Sequence, residues 1–454
     1  MQPKSSPTRV LVIGAGPAGL TLGAALARRG YAVVAVDRDP GPAADGSWNR
    51  IGVGQFEHAH GFRTQVRELL EAEWPEAMDE WTALGAETHV APLPGGAMMN
   101  VVRSRRITYE RALRSAAQHV AGLTVTAGTA TRLIEADRSV LGAVVDGRPV
   151  FADLVVDASG RSVQLAAARP AISAECGISY VGRVYRLHED AEPGPLTTPV
   201  AWGADLGGYH AIVFPHEDRY LSAVIVRGVG DDALRDLRRP ESFDVATQAI
   251  PGMRDWVSRD RSAPASRTVL GGRPRNVYRR QARLTGLVAV GDAVATTTPT
   301  AGRGVAMASM QIRALLDLLD SGADPRGVAE PFEQWCDESI RPWVEDHIAR
   351  DDEAVRRLGG GDIDLSRPLT TTAIVDAAQA EPRIVRNLAG YLSMTALPSS
   401  LAPAEPLARA VYESGWRPPL AEGPTRQELA AMIAARPARP ACNRLTPVGI
   451  GQLL

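Results

Sequence analysis

Lysine is almost absent. Lys4 is the one lysine among 50 basic side chains in a chain of 454 residues, so the others are arginine. That excludes a Schiff-base lysine, a P-loop lysine or any catalytic lysine beyond the first few residues. Cysteine is scarce as well: Cys176, Cys336 and Cys442 are far apart and odd in number, which argues against a disulfide framework and a zinc-type pair. Aromatic residues make up 5%, a poor composition for stacking bases. The 50 basic and 52 acidic side chains leave a formal charge of −2, so no global field draws the chain to nucleic acid or an anionic membrane. No apolar run reaches the roughly 18–20 residues of a membrane span, and residues 1–9 are polar, without the apolar stretch of a signal peptide. The expectation is a cytoplasmic protein without a nucleic-acid partner. Apolar residues make up 45%, enough for ordinary cores, and the length predicts roughly two to four domains.

What is present begins at once. Arg9–Ile13 reads RVLVI, a buried parallel strand. Gly14-Ala15-Gly16-Pro17-Ala18-Gly19 follows, then a small-residue helix to Gly30 and a second strand ending in Asp37. This is a complete β–turn–α–β unit with strand, helix and terminal acid in register. Gly14 permits the tight turn, Gly16 lets the backbone approach a pyrophosphate, and Gly19 lets helix and strand pack closely. The helix N-terminus presents N–H groups to the phosphates. Asp37 is placed to accept hydrogen bonds from a ribose diol and would repel a 2′-phosphate. The unit predicts dinucleotide binding and leaves NAD and FAD as alternatives.

Further along, 61–73, 78–86 and 107–120 read as helices, and 123–126, 130–135, 141–145 and 154–157 as strands. Residues 177–228 hold about four strands without intervening helices, which predicts an antiparallel sheet. A helix is expected over 235–257, a parallel strand at 287–290, and helices over 305–319 and 331–358. The tail mixes short helices with proline-rich stretches such as 436–440. The expected fold is α/β: a Rossmann-like FAD-binding domain of the glutathione-reductase type (1–80, 101–175 and 271–330), an antiparallel substrate domain inserted into it (81–100 and 176–270), and a helical C-terminal region (331–454).

Two distant segments bear on the cofactor: LVVDASGRS at 154–162 and LVAVGDAVATTTPTAGRGVAM at 287–307. Each is an apolar strand ending at an acid or a Gly-Asp pair, then a small-residue loop. Asp292 can hold a second polyol, and the N–H groups near Gly302 and Gly304 can polarise an anionic acceptor at a helix N-terminus. Together Gly14 to Gly19, Asp157-Ala158-Ser159-Gly160 and Gly291-Asp292 resemble the three fingerprints of the FAD-dependent monooxygenases of the aromatic hydroxylase type, over about residues 1–330. Within that family the closer resemblance is to the bacterial polyene and polyether epoxidases of polyketide pathways. It rests on Gln55 with His58-Ala59-His60, the 106–114 helix, Phe214-Pro215 and Gly291-Asp292-Ala293-Val294.

The resemblance implies non-covalent FAD. Gly14, Gly16 and Gly19 would contact its pyrophosphate, Asp37 the adenosine ribose, and Arg106 the cofactor near the pyrophosphate. Asp292 would meet the ribityl or pyrophosphate portion, and Gly302 and Gly304 the flavin pyrimidine edge. Asp157 and Arg161 belong to a motif linked to both FAD and the nicotinamide reductant. Ala18, Arg38, Arg50, Gly291 and Pro299 complete the candidate cofactor contacts. It also implies that one atom of O2 enters a mostly apolar secondary metabolite, by epoxidation or hydroxylation, through a flavin C4a-hydroperoxide. NADPH or NADH would be the reductant, directly or through a partner flavin reductase, and the protein a monomer or homodimer. Many aromatic hydroxylases carry His where this chain has Ala295, which weakens the case for a phenolic substrate.

His58 and His60 would share one face of a strand, but no third ligand accompanies them, so no metal is expected. No general base stands out, and the flavin would carry the difficult chemistry. The substrate is expected between the inserted sheet (180–227) and the 299–304 loop, with Tyr209, His210 and Phe214 as candidate lining residues. The alternative enzyme is a flavin-dependent reductase or dehydrogenase acting on a polyketide or isoprenoid. A flavin-dependent halogenase would need a lysine and a Trp-x-Trp-x-x-Pro segment that this chain lacks. A non-catalytic escort protein would have lost the FAD motifs, and all three persist here.

Overall fold

The computed structural model describes residues 7–435, apart from 51–52, 54–55, 94–95, 97, 162–164, 166–168, 272–273 and 282–283. Lys4, Gln55, Cys442 and the 436–440 stretch lie outside the described residues.

Five parallel strands form the centre, in the order Leu287–Ala289, Leu154–Asp157, Arg9–Ile13, Ala32–Asp37, Leu123–Ala127. Whereas the edge strand Leu123–Ala127 carries two threonines and is largely exposed, the other strands are apolar along most of their length because both faces of the sheet are covered there. The two-residue period divides them between two cores. Val10, Val12, Val33, Ala35, Leu154 and Val156 face a helical layer that includes Pro17–Arg28 and Gly304–Asp320. Leu11, Ile13, Val36 and Val155 face a smaller core with Leu133, Val140 and Ala143, from the meander Ala130–Ala136, Ser139–Val145 and Arg148–Phe151.

The second large sheet is antiparallel, in the order Trp202–Asp205, His210–Pro215, Tyr220–Gly228, Ile178–Leu187, Ser262–Pro264, with Val269–Gly271 also paired to Ile178–Leu187. One face is a core. Val181, Tyr185, Ala211, Val213, Ala223 and Ile225 pack there with Phe243, Trp256 and Leu429. The helix expected over 235–257 is broken into a 3-10 segment Asp232–Arg238 and helices Pro240–Ala249 and Pro251–Val257. Each proline lacks the N–H that would continue the preceding helix and takes the first position of the next.

A three-stranded sheet, in the order Ala59–Phe62, Met98–Arg105, Glu87–Pro92, packs against the helices Thr64–Glu73 and Arg106–Ala117 and meets the antiparallel sheet at His210–Pro215. The helix expected from residue 61 therefore begins later, at Thr64–Glu73, because Ala59–Phe62 pairs with residues 102–105. The C-terminal helices fold back over the molecule. Trp343 in Arg341–Leu358, Tyr391 in Leu388–Leu392 and Tyr412 in Glu405–Glu413 join the main core, and Arg426–Ala434 covers the far side of the antiparallel sheet. The chain is a mixed α/β protein with a parallel sheet, an antiparallel sheet and a helical C-terminal region.

Candidate functional site

The turn after the first strand shows why its glycines differ. Gly14 has φ +105°, and a Cβ there would lie 2.3 Å from the Ala158 carbonyl oxygen. A Cβ on Gly19 would lie 1.9 Å from the Gly14 carbonyl oxygen. Both are glycines because backbone meets backbone. Gly16 is different: its extended backbone suits any residue, and a Cβ would meet only the Arg50 guanidinium, 3.6 Å away. That space belongs to a cavity. The helix Pro17–Arg28 opens onto it with no side-chain cap, so its N-terminal dipole is aimed at whatever the cavity holds.

Asp37 ends the second strand and is nearly buried. Its Oδ2 accepts from the Ala15 N–H at 2.7 Å and from Arg50 Nη2 at 2.8 Å, and its Oδ1 accepts from the Asp39 N–H at 2.9 Å. A carboxylate has about four lone-pair sites, so one remains for a ribose hydroxyl. Arg50 also donates to Glu110, which accepts from Arg106 Nε at 2.6 Å. Arg38, Arg50 and Arg106 all line the cavity.

The other fingerprints converge on the same space. Ala158, Ser159, Gly160 and Arg161 line it. The Asp157 carboxylate lies behind them, fully buried, with Oδ1 accepting from the Ser159 N–H at 3.0 Å and Oδ2 unpartnered among the described residues. Gly291 takes φ +69°, and a Cβ there would press on Ala18 at 3.1 Å. Asp292 faces the cavity, partly exposed, with Arg161 Nε 3.4 Å away. Pro299, Gly302 and Gly304 form the next part of the wall, where Gly304–Asp320 starts without a side-chain cap. The cradle over Gly16, the remaining lone pair of Asp37 and the open carboxylate of Asp292 together fit a dinucleotide.

The opposite wall is the antiparallel sheet. Tyr180, Gly182, Ile212, Phe214, Ser222 and Val224 line the cavity, each one residue from a neighbour in the core beneath. Of the three lining candidates expected from sequence, only Phe214 is among them. Tyr209 is fully buried in that core, its hydroxyl donating to the Pro424 carbonyl at 2.6 Å. His210 sits at the far end of its strand with Nδ1 3.5 Å from Asp205, outside the cavity. The cavity is about 1520 Å³, above the roughly 300–1,000 Å³ usual for one small ligand. It has room for a dinucleotide and a second molecule.

His58 and His60 line the space between the two walls. Burial pushes the His58 imidazole down to about 4 and, with Arg106 nearby, the His60 imidazole to about 3, so both are neutral at pH 7. Gly182 makes room for His58, since a Cβ there would lie 3.0 Å from its ring. Among the described residues no cluster of three metal-ligating side chains occurs.

Sequence reasoning missed a polar group beneath the 299–304 loop. Thr298 Oγ1 lies 2.6 Å from His347 Nε2, and Asp351 accepts from Asn276 Nδ2 at 2.7 Å and from Thr298. Burial raises the Asp351 carboxyl to about 6 and, with three nearby arginines, lowers His347 to about 3. No motif marks these residues; they meet because Arg341–Leu358 packs behind the loop.

A family model described as lycopene cyclase protein matches residues 9–179. A curated relative, the tRNA 5-methylaminomethyl-2-thiouridine biosynthesis bifunctional protein MnmC of Chromohalobacter salexigens, is 39% identical over 100 residues, 21% of this chain and 14% of that protein. The chain therefore spans a small part of the relative it matches. Solved structures match over far more of the chain. A triple mutant of the flavin-dependent brominase Bmp2 superposes with TM-score 0.59 at 16% identity, covering 89% of this chain and 98% of the other. PqsL, a probable FAD-dependent monooxygenase from Pseudomonas aeruginosa, gives 0.56 at 15% identity over 78% and 98%. The tetrameric form of 2-methyl-3-hydroxypyridine-5-carboxylic acid oxygenase gives 0.53 at 14% over 80% and 95%. The chain has the fold of the flavin-dependent monooxygenases and brominases.

Proposed function

We propose that the protein is an FAD-dependent monooxygenase that inserts one oxygen atom of O2, by epoxidation or hydroxylation, into a mostly apolar small molecule of secondary metabolism. The observation that carries this reading is the continuity of one cavity, from the nucleotide fingerprints at Gly16, Asp37 and Asp292 to the apolar face of the antiparallel sheet.

When bound and reduced, FAD supplies the centre that activates O2. The chain does the rest. Gly16 and the uncapped Pro17–Arg28 helix receive the pyrophosphate, Asp37 accepts from the adenosine ribose, and Asp292 from the ribityl or pyrophosphate region. Phe214, Ile212 and Val224 offer an apolar wall that orients the substrate and excludes water. His58 and His60, kept neutral by burial, bring no charge to that space. NADPH or NADH serves as reductant, directly or through a partner reductase. The protein works as a cytoplasmic monomer or homodimer; among the described residues no helix is long and apolar enough to cross a membrane.

A second reading is a flavin-dependent reductase or dehydrogenase acting on an isoprenoid or polyketide; the lycopene cyclase match over residues 9–179 supports the isoprenoid class of substrate in it and not the redox step. Purified protein loaded with FAD tests the first claim common to both: acid precipitation should release FAD into the supernatant. A protein that cannot be reconstituted with FAD refutes both readings. Oxygen consumption coupled to substrate oxidation separates them.

A further inference from the structure

The cavity continues past the 299–304 loop into the C-terminal helices, where Thr372, Val375, Tyr391 and Leu392 form its walls. Three guanidinium groups, Arg63, Arg303 and Arg350, line this arm. Arg303 is neutralised: its Nη1 donates to Asp346 at 2.5 Å and its Nη2 to the Tyr391 hydroxyl at 2.6 Å, and it lies over the Trp343 and Tyr391 rings, with only its Nε left without a partner among the described residues. The other two have no carboxylate within ion-pair distance among the described residues. Arg63 donates only to backbone carbonyls, those of Ala301 at 2.8 and 3.2 Å and Leu392 at 2.7 Å. Arg350 donates Nη1 to the Tyr391 hydroxyl at 3.2 Å, and its buried Nε has no partner.

The nearby acids are committed elsewhere. Asp346 also accepts from Thr371 at 2.6 Å. Asp376, on the same wall, is held by Arg357 at 3.0 Å, which reaches Asp205 at 3.2 Å. Asp351 is held by Asn276 and Thr298, and His347 is neutral. Asp351 and Asp376 are within electrostatic reach of Arg350, but neither arginine has a carboxylate in direct contact among the described residues, so two guanidinium groups face a shielded cavity with donors left open, an arrangement that costs stability unless an anion completes it. Their mutual proximity is visible in Arg63, whose guanidinium is lowered to about 10 by burial and then by Arg303 and Arg350.

We propose that this arm is a carboxylate-binding subsite, in which Arg350 and Arg63 hold the anionic end of a substrate whose apolar body lies along Phe214, Ile212 and Val224. A guanidinium fork matches a carboxylate in geometry, and the apolar sheet face beyond it suits a hydrocarbon chain or ring. The subsite names a substrate class for the function proposed above and rests on that reading for its purpose, although anion binding itself does not need flavin.

The test is calorimetric titration of the full chain, FAD-free and FAD-loaded, with octanoate, 1-octanol and bromide. Octanoate should bind about tenfold or more tighter than octanol, the worth of a charge-assisted contact. Bromide should not displace it. Arg350→Gln should lose that advantage while octanol and FAD affinities stay unchanged. If Arg350→Gln does not fold, Val375→Asp, which sets a carboxylate into the arm, should abolish octanoate binding. Equal affinity for acid and alcohol, displacement by bromide, or an Arg350→Gln variant that loses FAD instead would each overturn the proposal. Octanoate binding to a chain that never takes FAD would sink the monooxygenase reading and leave the subsite standing.

Discussion

The glycines of the first turn make opposite predictions within one motif, and the distances supply the magnitudes. A methyl group on Gly19 would sit 1.9 Å from the Gly14 carbonyl oxygen, far inside any real contact. Helix and strand would have to separate, and overpacking of this kind costs about 1–3 kcal/mol or more. Gly19→Ala should therefore lower the unfolding midpoint of the FAD-free protein. A methyl on Gly16 meets nothing nearer than the movable Arg50 guanidinium at 3.6 Å, and the residue's φ of −78° carries no strain for alanine. Gly16→Ala should leave FAD-free stability within about 0.5 kcal/mol, or raise it slightly by stiffening the unfolded chain. Gly16→Val should fill the space a pyrophosphate needs and abolish FAD retention with the antiparallel sheet intact. The assays are urea unfolding of the FAD-free variants and fluorescence titration with FAD. Wild-type FAD affinity in Gly16→Val, or a Gly16→Ala variant as unstable as Gly19→Ala, would refute the assignment of this loop to a cofactor rather than to packing.

Asp292→Ala removes a charge-assisted acceptor worth about 1.5–3 kcal/mol. FAD affinity of the apoprotein should fall about 10- to 150-fold, and an unchanged titration contradicts the role. Phe214→Ala should weaken substrate binding and uncouple reductant use from product formation with FAD retained. Tyr209→Phe should cost about 1 kcal/mol of stability through the lost bond to Pro424 and leave ligand binding alone, so a reversed pattern would mean the sheet's faces are misassigned. His58, His60 and His347 have folded values near 4, 3 and 3, below the ordinary 6.5. The unfolded chain then binds more protons below pH 6.5, and stability falls as pH drops. By pH 5 each contributes about 2 kcal/mol of loss. Asp351, raised to about 6, has the opposite sign and favours the folded state as pH falls through that value. Urea unfolding from pH 7 to 5 should show net destabilisation, partly relieved in His58→Gln; a flat profile in the wild type would mean the imidazoles are hydrated.

The parallel sheet and its fingerprints were legible because each is local. A β-branched run, a glycine turn and an acid follow one another within a few residues, and the physics that places them acts over the same span. The inserted sheet was legible as strands but not by face. Residues 211–214 read Ala-Ile-Val-Phe, apolar throughout, so nothing in the pattern says that Ile212 and Phe214 face a cavity while Ala211 and Val213 face a core. Tyr209 is equally suitable by sequence, but it precedes the strand and turns into the core beneath. By sequence the stretch after His58 leads straight into a helix, because its strand character comes from pairing with residues 102–105, about 40 positions away. The arginine-lined arm was invisible for the same reason at larger scale: Arg63 and Arg350 are brought together only when the C-terminal helices close over the 299–304 loop.

The central claim is that this chain holds FAD and uses it to activate oxygen. The most direct measurement is stopped-flow mixing of the anaerobically reduced, FAD-loaded protein with O2. Oxidised flavin should return through a transient whose absorbance differs from both the reduced and the oxidised forms, longer-lived in wild type than in Phe214→Ala. Direct return to oxidised flavin at the rate of free reduced FAD, with no transient in the presence or absence of an apolar carboxylate, would contradict that claim.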